Sequence, residues 1–110
     1  MQDFHIERDN DRDLVFQGEL IAAVGNALGP NGNRGRWFVL CLYRTESGAL
    51  VAERIGRTRY RGETDRHQAV VCRDDDAGTA VEKVIAFFGL GALAKNLYEK
   101  ANIEVTERVD

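Results

Sequence analysis

The segment from residue 36 to residue 45, Arg-Trp-Phe-Val-Leu-Cys-Leu-Tyr-Arg-Thr, is apolar at both sets of alternating positions. In a β-strand, successive side chains point to opposite faces of the sheet. The two sets, one for each face, are Phe38, Leu40 and Leu42, and Trp37, Val39, Cys41 and Tyr43. A chain with this segment must fold so that both faces are covered, which is typical of a central strand.

Four other segments alternate apolar and polar residues and are predicted to be strands, at 4–8, 14–24, 50–60 and 67–73. The segment 25–35 contains four Gly, three Asn and the only Pro, and this composition predicts a loop. Short connections between successive strands favour an antiparallel meander. We therefore expect a meander of four to five strands.

The periodicity changes after residue 74. Thr79 and Glu82 have the spacing of a capping box, in which each side chain accepts a hydrogen bond from the other residue's backbone N–H. Apolar residues then recur at helical spacing as far as Gly89, and again over residues 93–101 before Asn102. The predicted fold class is α+β, with a C-terminal helical hairpin packed on one face of the sheet. The other face needs a curled sheet, a ligand or a second subunit as its cover.

With 110 residues, the chain has the length of a single domain over 1–110, and the polar tail 103–110 is expected to fray. No apolar stretch approaches the roughly 18–20 residues of a membrane span. Residues 1–5 lack the layout of a secretion signal, and two Cys make no disulfide framework. We expect a soluble cytoplasmic chain without cofactor or membrane association.

Positive charge is concentrated in the middle of the chain. Residues 34–73 hold nine Arg against four acids, whereas acids exceed bases on either side. Arg57, Arg59 and Arg61 (the arginine stripe) share one face of the predicted strand, with a spacing comparable to that of nucleic-acid phosphates. The Arg-rich strand 54–66, extended by Arg34 and Arg36, is thus a candidate nucleic-acid or anion site. The simpler interpretation is a solvated strand whose charges are partly neutralised by Glu53 and Glu63.

Outside the Arg-rich segment, few residues are candidates for metal binding or catalysis. His5, His67, Cys41 and Cys72 have no metal-ligand spacing, so no metal site is predicted. The candidate acid–base carboxylates, Glu53 and Glu63 among them, occupy alternating polar positions or turns and are predicted to be solvated. No catalytic set emerges, and no stretch carries a motif that indicates a family.

Three hypotheses of function follow. The first is a non-enzymatic binding or accessory module that self-associates as a homodimer, because the central strand is apolar on both faces. Its candidate interface residues are Trp37, Val39, Tyr43 and Phe87. The second is a nucleic-acid-binding module that uses the strand 54–66. The third is an enzyme whose site assembles only in three dimensions, around a perturbed His or Cys.

Overall fold

The structure, a computed structural model, describes residues 1–29, 32–33, 35–107 and 109. Within these residues, seven strands precede two helices. The strands are β1 (Gln2–Ile6), β2 (Leu14–Gly25), β3 (Leu28–Gly29), β4 (Gly32–Asn33), β5 (Arg36–Thr45), β6 (Leu50–Thr58) and β7 (Arg66–Cys72). The helices are α1 (Ala80–Phe88) and α2 (Ala92–Lys100).

Five of these strands form one antiparallel sheet in the order β1-β2-β5-β6-β7. The predicted α+β meander with a C-terminal helical hairpin is confirmed. The segment 25–35 is not only a loop, because β2 extends to Gly25 and β3 pairs with β4. Pro30, Asn31 and the candidate site residue Arg34 lie outside the described residues.

The ends of the helical hairpin follow the sequence signals. The Thr79 hydroxyl accepts from the Glu82 backbone N–H at 3.1 Å, and the Glu82 carboxylate accepts from the Thr79 N–H at 3.0 Å. Gly89, with φ of 81°, ends α1 in a conformation that disfavours other residues. The Tyr98 hydroxyl donates to the Gly89 carbonyl at 2.6 Å, which ties α2 to the end of α1. The predicted capping box and helix end are confirmed.

One face of the sheet, here called the helix side, packs against α1 and α2. Its buried residues alternate along the strands and meet the apolar faces of both helices. The strand residues of this core are Ala22, Val24, Leu40, Leu42, Leu50, Ala52 and Cys72, and its main helix residues are Val84, Phe88, Leu97 and Tyr98.

The opposite face, here called the closed side, is covered by the sheet itself. The rings of Phe4, Phe16 and Tyr43 pack together from β1, β2 and β5, with centroids 4.8 to 5.6 Å apart. The chain beyond β1 then reaches β7, where the Asp9 N–H donates to the His67 carbonyl at 2.8 Å. Of the three covers that the sequence left open, the structure shows the curled sheet.

A β-bulge in β2 allows this strand to contribute apolar side chains to both faces of the sheet. The register shifts between Leu20, which is opposite Tyr43, and Ala22, which is opposite Leu42. The strand therefore contributes Leu14 and Phe16 to the closed side but Ala22 and Val24 to the helix side. Regular alternation over 14–24 would place these apolar residues on one face, and the extra residue at the bulge exchanges the faces instead.

Candidate functional site

The helical hairpin covers only part of the helix side. Each helix has nine residues, or about 13 Å, whereas the ten residues of β5 extend about 33 Å. On this side of β5, Leu42 is 1% exposed but Phe38 is 50% exposed. A cleft of about 1240 Å³ lies between the uncovered strand ends and the turn from α1 to α2. This volume is ample for a small ligand or part of a polymer.

The floor of the cleft is a row of three residues across neighbouring strands. Phe38 is directly opposite Gly56, and Gly56 is directly opposite Arg66. A Cβ at Gly56 would lie 3.6 Å from both the Phe38 ring and the Arg66 Cβ, so these two side chains flank the glycine. The side chain of Arg66 is exposed. The row places the Phe38 ring and the Arg66 side chain on either side of Gly56, which has no side chain to separate them.

Arg54 forms the boundary between the cleft and the hairpin. Its Nη2 donates to the Phe87 carbonyl at 2.5 Å and its Nη1 donates to the Gln68 side chain at 3.4 Å. The guanidinium also lies 4.8 Å from the centroid of the Phe87 ring. These contacts hold Arg54 at the end of α1, where a cation satisfies the last carbonyl groups of a helix.

Arg36 lies at the outer end of the cleft and is held by two partners. It donates from Nε and Nη2 to the two carboxylate oxygens of Glu63, at 3.1 and 2.5 Å. Its guanidinium is also 4.7 Å from the centroid of the Tyr60 ring. Tyr60 packs closely on Gly35, where a Cβ would come within 2.3 Å of the Tyr60 hydroxyl. The Glu63 carboxylate raises the pKa of Arg36, which keeps the guanidinium charged.

We call this site the arginine groove and define it by Arg36, Phe38, Arg54, Gly56 and Arg66. All five lie on the helix side or line its cleft. The sequence singled out Arg36 and a strand over 54–66, and it predicted that the face of Phe38, Leu40 and Leu42 would be covered. The single strand over 54–66 is wrong, because β6 ends at Thr58 and β7 begins at Arg66. The cover is incomplete at Phe38, because the hairpin ends before it reaches the ring.

The arginine stripe is directed to the other face of the sheet. Arg57 is opposite Trp37 and pairs with Asp65 at 3.1 Å. The Arg59 guanidinium lies 4.7 Å from the Trp37 ring centroid, and Arg61 is exposed in the turn after β6. Arg57 thus lies on the face of β6 opposite the groove floor, and Arg59 and Arg61 lie beyond the end of β6. Trp37 and Arg57 also line the cleft, but neither Arg57 nor Arg59 lies in the row of Phe38 and Arg66.

The four candidate interface residues occupy different surroundings. Trp37 and Val39 are half-buried on the closed side, and Phe87 is half-buried against Arg54 and the Phe88 ring. Tyr43 is buried inside the chain. Their dimer role stays a prediction, and Tyr43 offers no surface for it.

A buried polar cluster links β5 to β6 on the closed side. Glu53 is 6% exposed and accepts a hydrogen bond from the Tyr43 hydroxyl at 2.6 Å. The prediction of a solvated Glu53 is wrong, and its buried neighbours at alternating positions, Val51 and Ile55, are the sequence signal that indicates this burial. Burial and the charge of Glu53 raise the pKa of the Cys41 thiol to about 11, so this thiol is not an activated nucleophile.

The remaining candidate groups lie apart from the groove. His5 pairs with Asp13 at 2.8 Å, and His67 pairs with Glu7 at 3.0 Å. Burial raises the pKa of the Cys72 thiol. Among the described residues, those that line the cleft include neither His nor Cys. No group of three or more His, Cys, Asp or Glu side chains in the described part of the chain could hold a metal ion.

Comparisons with known proteins add no family. No protein-family model, no curated protein sequence and no solved structure matches the chain. Within residues 1–29, 32–33, 35–107 and 109, no helix combines the length and apolar character needed to cross a membrane. The geometry of the groove therefore carries the functional argument.

Proposed function

We propose that this chain is a small, non-enzymatic binding module that takes a single-stranded nucleic acid in the arginine groove. The observation that carries the proposal is the half-exposed Phe38 ring on the groove floor, beside Arg66 and between Arg36 and Arg54. Proteins that bind single strands without strong sequence preference combine guanidinium groups for the backbone with aromatic rings for the bases.

The recessed position of Phe38 favours a single strand over a duplex. A duplex keeps the faces of its bases stacked inside, whereas a single strand can turn a base onto a ring in a groove. Arg36 and Arg66 flank the ring within the same cleft and supply charge for the phosphates. We expect sequence preference to be modest, because stacking on a ring tolerates every base.

The experiment is a fluorescence-anisotropy titration of a labelled oligothymidylate across a series of salt concentrations. If Arg36, Arg54 and Arg66 each contact one phosphate, the plot of log affinity against log salt has a slope of about −2. Phe38→Ala should weaken binding by about tenfold to a hundredfold, because it removes one stacking platform. A chain that fails to bind at low salt would overturn the proposal.

Val15→Ala is the matched control, because Val15 is also an exposed apolar side chain but lies on β2, away from the groove. It should bind the oligonucleotide as the unsubstituted chain does. Equal losses in the two variants would indicate a general effect of surface truncation and would contradict a stacking role for Phe38.

Self-association as a homodimer stays a separate prediction. The two apolar faces of β5 motivated it, and within one chain the hairpin and the curled sheet cover them except at the half-exposed Phe38. Light scattering on a size-exclusion column tests it, with a monomer contradicting the dimer hypothesis. We expect the module to act in the cytoplasm, because both cysteines are free, as is usual in a reducing compartment.

A further inference from the structure

Glu63 is paired with Arg36, one of the groove arginines that a phosphate would contact. Its two oxygens receive the paired donors of Arg36, and its Oε1 also accepts from the Thr58 hydroxyl at 2.5 Å. Glu63 lies in the turn between β6 and β7 and lines the same cleft as Phe38 and Arg66. A carboxylate is therefore already bound at one of the proposed phosphate positions.

A phosphodiester and a carboxylate compete for the same guanidinium geometry. Both accept the two parallel N–H bonds of an Arg side chain, so full pairing of Arg36 with one excludes full pairing with the other. The bonds from Arg36 and Thr58 lower the pKa of Glu63, so the competitor is ionised at neutral pH. Both members of the pair are substantially exposed, and exposed ion pairs contribute little, so a ligand can displace Glu63.

We propose that Glu63 is an internal competitor that holds Arg36 in the empty groove and is displaced when a nucleic-acid phosphate binds. This inference rests on the proposed function. Its consequence is that the free chain carries one fewer available cation in the groove than its Arg content implies. Binding then exchanges one anionic partner for another at Arg36, and affinity is held below what the groove would give without Glu63.

The test compares Glu63→Gln with the unsubstituted chain in the same oligothymidylate titration. Glutamine keeps the size of the side chain and an oxygen that accepts from Thr58, so the turn should be retained, as circular dichroism on heating would verify. We expect about two- to fivefold tighter binding, the range that an exposed ion pair commonly contributes. We expect the salt slope to stay at about −2, because the released counterions come from the nucleic acid and the number of phosphates contacted does not change.

Glu19→Gln is the control for the loss of one negative charge. Glu19 also pairs with an arginine, Arg44 at 3.4 Å, but it lies on β2 outside the groove. This variant should leave the affinity nearly unchanged. If Glu63→Gln binds no more tightly than Glu19→Gln while the unsubstituted chain binds, the competitor inference is overturned and the proposed function stands.

Two further outcomes separate the alternatives. Weaker binding by Glu63→Gln would show that Glu63 positions Arg36 for the ligand, which overturns the inference. Absence of binding by the unsubstituted chain and by both variants would overturn the proposed function, and the inference with it. Glu63→Ala, which removes the acceptor for Arg36 entirely, should change the affinity in the same direction as Glu63→Gln.

Discussion

The helix side of the sheet has a covered half and an open half, and the same strands build both. Along β6, Leu50 and Ala52 lie under the hairpin, and the next two residues on that side are Arg54 and Gly56. Along β7, Cys72 is buried in the covered half and Arg66 is exposed in the open half. The side chains change from apolar to cationic at the place where the helices end.

Phe38 is the exception that makes the comparison informative. If the open half were ordinary solvated surface, all of its side chains could be polar, yet a large ring lies there half-exposed beside two exposed arginines. Burial in the core does not account for the ring, because the hairpin stops short of it. A ring among guanidinium groups suits a ligand that has flat faces and negative charge.

The largest expected effect is on the free energy of unfolding, which a truncation in the covered half should lower more than a truncation in the open half. Leu42→Ala should lower the free energy of unfolding by about 2–5 kcal/mol, because it leaves a cavity beneath the helices. Phe38→Ala should lower it by about 1 kcal/mol, because half of the ring is already in water. Urea denaturation of the two variants measures both values. Equal losses would mean that Phe38 is a core residue and that the open half is not distinct.

A smaller effect extends the comparison to the closed side. Tyr43→Phe removes the donor to the buried Glu53 carboxylate and should cost about 1–3 kcal/mol, the penalty for leaving a buried polar group unpaired. Burial and the bond to Glu53 raise the pKa of Tyr43, so the phenol remains a donor at neutral pH. The same denaturation experiment tests this, and an unchanged midpoint would contradict a buried, paired Glu53.

A third variant weakens the helical hairpin that covers one half of the helix side. Thr79→Ala removes the N-cap of α1 and should cost about 1 kcal/mol. The bonds from Thr79 lower the pKa of Glu82 below its ordinary 4.5. The Glu82 contribution to folding is therefore present above that value and is lost as the pH falls through the lowered pKa. Thr79→Ala keeps the backbone N–H that donates to the Glu82 carboxylate, so Glu82→Ala tests this contribution. The stability difference between Glu82→Ala and the unsubstituted chain should shrink in acid, and a pH-independent difference would contradict the capping box.

Local signals explain why much of the fold could be predicted from sequence. Thr79 and Glu82 mark a helix start by their own chemistry, and the doubly apolar strand 36–45 requires a central place in the sheet. The bulge after Leu20 gave no such signal, because the residues on either side of it continue the same alternation. Its effect depends on pairing with β5, which is a tertiary property.

The candidate site was harder to predict for a related reason. Phe38, Leu40 and Leu42 belong to one alternating set, and only the length of the hairpin decides which of them is covered. The arginine stripe was found by its spacing on one strand, whereas the groove combines Arg36, Arg54 and Arg66 from three strands. Those three become neighbours only through the register of β5, β6 and β7.

The most direct test of the account compares the arginine groove with the arginine stripe. The groove variant Arg36→Gln/Arg66→Gln and the stripe variant Arg59→Gln/Arg61→Gln remove the same charge, and neither Arg59 nor Arg61 lines the cleft. We predict that the groove variant loses at least about tenfold in oligothymidylate affinity and that its salt slope becomes shallower by about 1.4. The stripe variant should stay within about twofold of the unsubstituted chain, as expected for side chains that do not touch the ligand. Loss of binding in the stripe variant with retention in the groove variant would contradict the account and assign the ligand to the arginine stripe.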